Sequence, residues 1–181
     1  MATGATTSVD LDVESDGSIP VISGDEAAAG LFQGQKFDMS GTRALVVDRR
    51  ANYESGLITE GLVNRGSKVT VATPFLQFGA NLGFTHLDDL LSTLPGKGCE
   101  MLASTILKSV QDGMATLQHV YSGATQAAQY DFIVAAIHPK PDRALYKTAA
   151  SFCKVMMAGY LVAPRSALEA FREGDRAGRE V

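Results

Sequence analysis

Apolar positions in this chain alternate between short unbroken runs and helical stripes. Residues 44–47 (ALVV) form a continuous apolar run ending in two valines, which suits a strand buried on both faces. Asn52 then stands as a helix N-cap, with Glu54 in the first turn at the positive end of the helix dipole. Leu57, Ile58, Leu62 and Val63 mark an apolar stripe near helical spacing, and Gly66 follows as the residue that stops the helix. Residues 68–72 (KVTVA) make a second strand, ended by Thr73-Pro74. Strand, helix and strand in this order predict a right-handed parallel βαβ unit, the opening of a nucleotide-binding sheet.

Around this unit the pattern continues. Residues 1–18 are rich in Thr, Ser, Gly and Asp and read as a flexible arm. Residues 19–23 (IPVIS) predict a short edge strand because of Pro20, and 26–31 a brief helix. Residues 33–41 read as a polar approach to the first strand. The glycine-bearing stretch after Pro74 reads as a loop over the sheet edge, whose Phe75, Phe78 and Phe84 must cover something. A short helix over 86–94 and a short strand over 100–103 follow. Strands over 104–110 and 115–121 meet across Asp112-Gly113, a strong hairpin signal, and a third lies over 125–129. Residues 131–137 (DFIVAAI) predict the next buried parallel strand, then a helix over 142–150, a last strand over 154–157 and an amphipathic helix over 164–180 carrying Leu168 and Phe171. The expected fold is α/β: a Rossmann-like parallel sheet with a β-meander crossover.

The first βα turn carries the candidate chemistry. A dinucleotide site places G-x-G-x-x-G there, so that backbone approaches the pyrophosphate over the helix N-terminus. Here Asp48, Arg50 and Tyr53 fill the three glycine positions, and Glu54 adds negative charge. No acidic residue follows the second strand to hold a ribose hydroxyl; Thr73 and Pro74 stand there. Arg49 and Arg50 either clamp a phosphate by themselves or are a pair of solvated charges. His138, at the end of a parallel strand, occupies the edge where α/β sites form, and as a lone histidine it reads as a partner contact or solvent-facing.

Composition narrows the classes. The chain has 181 residues, 45% hydrophobic and 20% charged, as expected of one ordinary domain with an extension. A net charge of −4 argues against nucleic acid or an anionic membrane as the main partner. There is no run of membrane-spanning length and no secretory signal pattern at the N-terminus. Cys99 and Cys153 are unpatterned, and His86, His119 and His138 are dispersed, so no metal cage is expected and a reducing, cytoplasmic setting is. No catalytic constellation has diagnostic spacing.

Three stretches carry a family resemblance: VVDRRANYESGLITEGLVNRGSKVTVATP, DFIVAAIHPKPDRALY and GYLVAPRSALEAFREGDRAGREV. From about residue 19 onward the chain resembles the C-terminal part of the trimethylamine dehydrogenase and 2,4-dienoyl-CoA reductase family, in which an Old Yellow Enzyme-type barrel is fused to a disulfide-reductase-like FAD/NAD(P) module. The resemblance implies a disulfide-reductase NAD(P)-domain type over residues 41–155, a connecting segment over 19–40, and over 156–181 the return segment that completes an FAD-type domain. It departs from the family at three cofactor motifs: the glycine fingerprint, the Thr-Gly pair (here Ile137-His138), and the Asp after Gly159, which is Tyr160. It therefore implies a non-catalytic small subunit holding no cofactor alone. A larger flavoprotein subunit would carry FMN, FAD or ADP and an iron–sulfur cluster, and would oxidise an amine or reduce an enoyl compound. The residues expected at the partner or nucleotide face are Arg49, Arg50, Tyr160, Ala163, Pro164, Arg165 and Ser166. The alternative is a domain that itself binds ADP, NAD(P)H or FAD.

Overall fold

A computed structural model describes residues 2–32 and 39–180. Contacts divide the chain into two units, residues 9–137 and residues 2–8 with 138–180. The division falls directly after Ile137. Residues 33–38 of the expected polar approach lie outside the described residues.

The chain begins with two short strands, β1 (Ala5–Thr6) and β2 (Glu14–Ser15). Then come β3 (Val21–Ser23), α1 (Gly24–Phe32), β4 (Arg43–Asp48), α2 (Tyr53–Asn64), β5 (Lys68–Ala72) and α3 (Phe84–Thr93). Next are β6 (Glu100–Leu102), β7 (Thr105–Gln111), β8 (Met114–His119), β9 (Thr125–Gln129) and β10 (Phe132–Ala136). The chain ends with β11 (Lys140–Pro141), α4 (Ala144–Ala149) and α5 (Ala167–Arg179).

Within residues 9–137, a five-stranded sheet runs in the order β3-β10-β4-β5-β6, parallel throughout. Successive side chains of a strand point to opposite faces, and β4 shows why the apolar run is unbroken. Ala44 and Val46 join Ile58, Leu62, Val71 and Leu90 on the helical face. Leu45 and Val47 join Leu107, Leu117 and Ile133 on the other. That second face is covered by a four-stranded sheet in the order β2-β7-β8-β9, the expected meander with β2 added in parallel to β7. Each fully buried Leu or Ile contributes about 1.5–3 kcal/mol. The α2 boundaries follow the sequence. Asn52 caps by accepting from the Ser55 N–H at 3.3 Å, and Gly66 takes the left-handed conformation at φ 85° that only glycine adopts without strain. Of the aromatics after Pro74, Phe78 is buried on the helical face while Phe84 is exposed.

Three expectations are corrected. Residues 2–18 are not a free arm: Glu14–Ser15 pair with Ser109–Val110, and Leu11 is buried in the face shared with the meander. The composition concealed this because the apolar residues Val9, Leu11 and Val13 alternate singly among acids. Residues 154–157 form no strand. Val155, Met156 and Met157 are half-buried, and no strand among the described residues pairs with that run. The last helix starts at Ala167, with Ser166 as its N-cap, rather than at Pro164.

Within the unit formed by residues 2–8 and 138–180, β1 pairs antiparallel with β11. Arg143 donates through Nε to the Leu161 carbonyl at 3.2 Å and through a terminal nitrogen to the Val162 carbonyl at 2.8 Å. Glu173 of α5 accepts from the Gly159 N–H at 2.8 Å and pairs with Arg165.

Candidate functional site: the first βα turn and the segment before the last helix

Asp48 ends β4 with its side chain fully buried, on the same face as Val46 and therefore toward α2. One carboxylate oxygen, Oδ1, accepts three hydrogen bonds: from the Arg50 N–H at 3.0 Å, the Ala51 N–H at 2.7 Å and the Ser55 hydroxyl at 2.7 Å. Successive backbone N–H groups at a helix N-terminus form an anion-binding concavity. Here the protein's own carboxylate occupies it. Ala51 holds φ 50°, a left-handed conformation that costs a non-glycine residue about 1–2 kcal/mol. Charge-assisted hydrogen bonds of about 1.5–3 kcal/mol each are strong enough to hold it.

Both arginines are committed within the chain. Arg50 pairs with Glu54 one helical turn on, with its side chain only 12% exposed. Arg49 donates to the Leu11 carbonyl at 2.5 Å. Both are partly buried. Desolvation pushes the Glu54 carboxyl above its usual range, with Arg50 opposing and Asp25 reinforcing the shift. Asn81 closes the turn from above, its backbone N–H donating to the Ala51 carbonyl at 2.8 Å and its side-chain amide to the Arg50 carbonyl at 2.9 Å. Tyr53 accepts from the Gly83 N–H at 3.4 Å, and its ring meets His86 edge-on at 5.1 Å.

Three buried polar atoms lack a hydrogen-bond partner among the described residues: Asp48 Oδ2, Arg50 Nε and Thr73 Oγ1. Asp48 and Thr73 each follow the last residue pair of the β4–β5 ladder, Val47 with Ala72. They therefore flank the carboxyl end of the sheet, where Rossmann-like folds place ligands.

These residues do not fit a dinucleotide pyrophosphate at this turn. The amides it would use are taken by Asp48, side chains stand where backbone would approach, and Glu54 and Asp48 bring like charge.

The remaining candidate residues lie elsewhere. Tyr160 sits in a short 3-10 turn over Gly159–Leu161 and is 39% exposed. Ala163 and Pro164 are half-buried, Arg165 is paired with Glu173, and the Ser166 hydroxyl caps α5. α5 buries none of its residues; Leu168 and Phe171, one turn apart, are 56% and 78% exposed. His138 is exposed. No group of His, Cys, Asp and Glu among the described residues could hold a metal ion. Sequence reasoning missed Ser55 as a partner of Asp48 and Glu173 as the anchor of the 159–165 segment. The acid-then-serine spacing across the turn was the available signal for the first.

The fold has clear relatives among solved structures. Histamine dehydrogenase from Rhizobium sp. 4-9 superposes with a TM-score of 0.83 at 20% identity, over 99% of this chain and 30% of that one. The 6-hydroxypseudooxynicotine amine oxidase from Pseudomonas geniculata N1 gives 0.75 at 18% identity, over 98% of this chain and 28% of that one. Thioredoxin reductase from Giardia duodenalis gives 0.58 at 17% identity, over 78% of this chain and 43% of that one. The chain has the fold of a thioredoxin reductase-type nucleotide-binding domain. It spans less than a third of the two amine-oxidising proteins. The sequence matches no family model and no curated protein.

Proposed function

We propose that this chain is a non-catalytic subunit of a multi-subunit flavin-dependent oxidoreductase in the cytoplasm, docking on a larger flavoprotein polypeptide and completing its nucleotide-binding module. The observation that carries this reading is the Asp48 carboxylate in the anion site of a coenzyme-type fold. A domain that keeps its layers while filling its own cradle serves better as scaffold than as coenzyme carrier. The uncovered Leu168–Phe171 stripe supports it, since a helix with one apolar stripe ordinarily buries that stripe against another element.

In this reading the partner holds FMN, FAD or ADP and an iron–sulfur cluster. It oxidises an amine, in the manner of a dehydrogenase or demethylase, or reduces an enoyl compound. Tyr160, Ala163, Pro164, Arg165 and Ser166 face the partner. The adenine-nucleotide reading ranks behind, because Arg50 is engaged with Glu54 and Arg49 with the Leu11 carbonyl. The test is to purify the tagged chain from its native source and identify what accompanies it. A stoichiometric polypeptide with visible flavin absorbance supports the proposal. A stable monomer with no flavoprotein attached contradicts it.

A further inference from the structure

Within the 9–137 unit, β6 is the edge strand of the parallel sheet and β9 an edge strand of the meander. Between β6 and the meander lies a cleft of about 300 Å³. Met101 and Leu102 of β6 form one wall, and Thr105, Leu117, His119 and Gln126 of the meander form the other. Register explains the grouping. Thr105 faces His119 across the β7–β8 ladder and Leu117 faces Gln126 across β8–β9, so all four side chains stand on the core face of the meander. Leu117 and Thr105 are buried at its floor.

His119 is fixed in this cleft. Its Nδ1 accepts from the Ser122 N–H at 3.2 Å and lies 3.0 Å from the Ser122 hydroxyl. A neutral imidazole that accepts through Nδ1 carries its proton on Nε2 and donates from there. No partner for Nε2 is found among the described residues. The Thr105 hydroxyl donates to the Ala103 carbonyl at 2.8 Å, which leaves its oxygen to accept.

A hollow that joins apolar side chains to a few convergent polar groups, at the lower end of the size range of ligand pockets, has the features of a small-molecule site. We infer that this cleft binds a small uncharged carbonyl compound, its apolar body between Leu102 and Leu117 and its carbonyl oxygen accepting from His119 Nε2–H. The site shares no residue with the Asp48 turn and stands independently of the proposed docking role.

The test is an NMR titration of the ¹⁵N-labelled full chain with benzamide and, separately, toluene. Benzamide should produce saturable shifts centred on Thr105, Leu117, His119 and Gln126. Toluene, lacking the acceptor, should bind about fivefold more weakly, the worth of one ordinary hydrogen bond. His119→Ala should bring benzamide down to the level of toluene. Gln126→Trp, on an exposed edge strand, should fill the cleft and abolish both. No saturable shift with benzamide, equal binding of the two probes, or binding unchanged by both variants would overturn the inference.

Discussion

The Asp48 carboxylate accepts a hydrogen bond from the Ala51 N–H at 2.7 Å. This contact spans the turn in which Rossmann-like domains receive phosphate, and it puts a carboxyl oxygen of the chain where a ligand's phosphate oxygen would go. The same oxygen holds the Arg50 N–H and the Ser55 hydroxyl, so one side chain sets the backbone of the turn and the start of α2.

Removing that carboxylate strands two backbone N–H groups and leaves the Ser55 hydroxyl only its longer contact to Asn52 Oδ1 at 3.5 Å. Asp48→Ala should cost about 3 kcal/mol, within the range for losing buried charge-assisted hydrogen bonds. Urea denaturation should show a lowered midpoint with an unchanged slope. A shift corresponding to less than about 0.5 kcal/mol would mean the turn is held by something else.

The βαβ unit was legible because each signal agreed with the next: an apolar run for a strand buried on both faces, an asparagine cap, and a glycine at the helix end. The Asp112-Gly113 hairpin was legible for the same reason, with Asp112 at φ 53° and Gly113 at φ 73°. What the pattern concealed was long-range. Leu11 is a single leucine among acids, and only the meander 96 residues or so away, tied to this segment by the Asp112 N–H to Asp16 bond, makes it core. Residues 154–157 had strand composition, but no strand among the described residues pairs with them. In the site, the replacement of glycines was visible, whereas the carboxylate's capture of the freed amides depends on backbone geometry that composition does not encode.

The stripe on α5 yields a prediction that separates docking from folding. Leu168→Asp with Phe171→Asp places charge on positions already exposed, so the stability of the isolated chain should change by less than about 0.5 kcal/mol per site. Co-purification with a flavoprotein partner should be lost. Thermal unfolding and a pull-down, run on the same double variant, check both halves.

Asp16 should govern part of the acid limb of stability. Hydrogen bonds from the Ser18 hydroxyl and the Asp112 N–H hold its carboxyl down at about 2. A depressed folded value means the contribution is complete above the unfolded value near about 4 and fades as pH falls through about 2. Carboxyl NMR should find this titration, and Asp16→Asn should flatten the stability profile between those limits. An ordinary titration midpoint for Asp16 would contradict the hydrogen-bonding account.

The two cysteines should behave differently toward alkylation. Cys153 is exposed, whereas Cys99 is buried and desolvation, with Glu100 nearby, pushes its thiol up to about 11. Because the thiolate is the nucleophile, iodoacetamide at neutral pH should label Cys153 in the folded chain and reach Cys99 only on unfolding. Peptide mass mapping with and without urea distinguishes the sites; equal labelling of both in the native chain would place Cys99 outside the core.

Calorimetric titration of the purified chain with ADP and with NADPH, carried to millimolar concentration, tests the filled cradle most directly. With the Asp48 carboxylate seated on the amides of Arg50 and Ala51, the account predicts no saturable heat from either nucleotide. Saturable binding that weakens when Arg49 and Arg50 are replaced by alanine would contradict it.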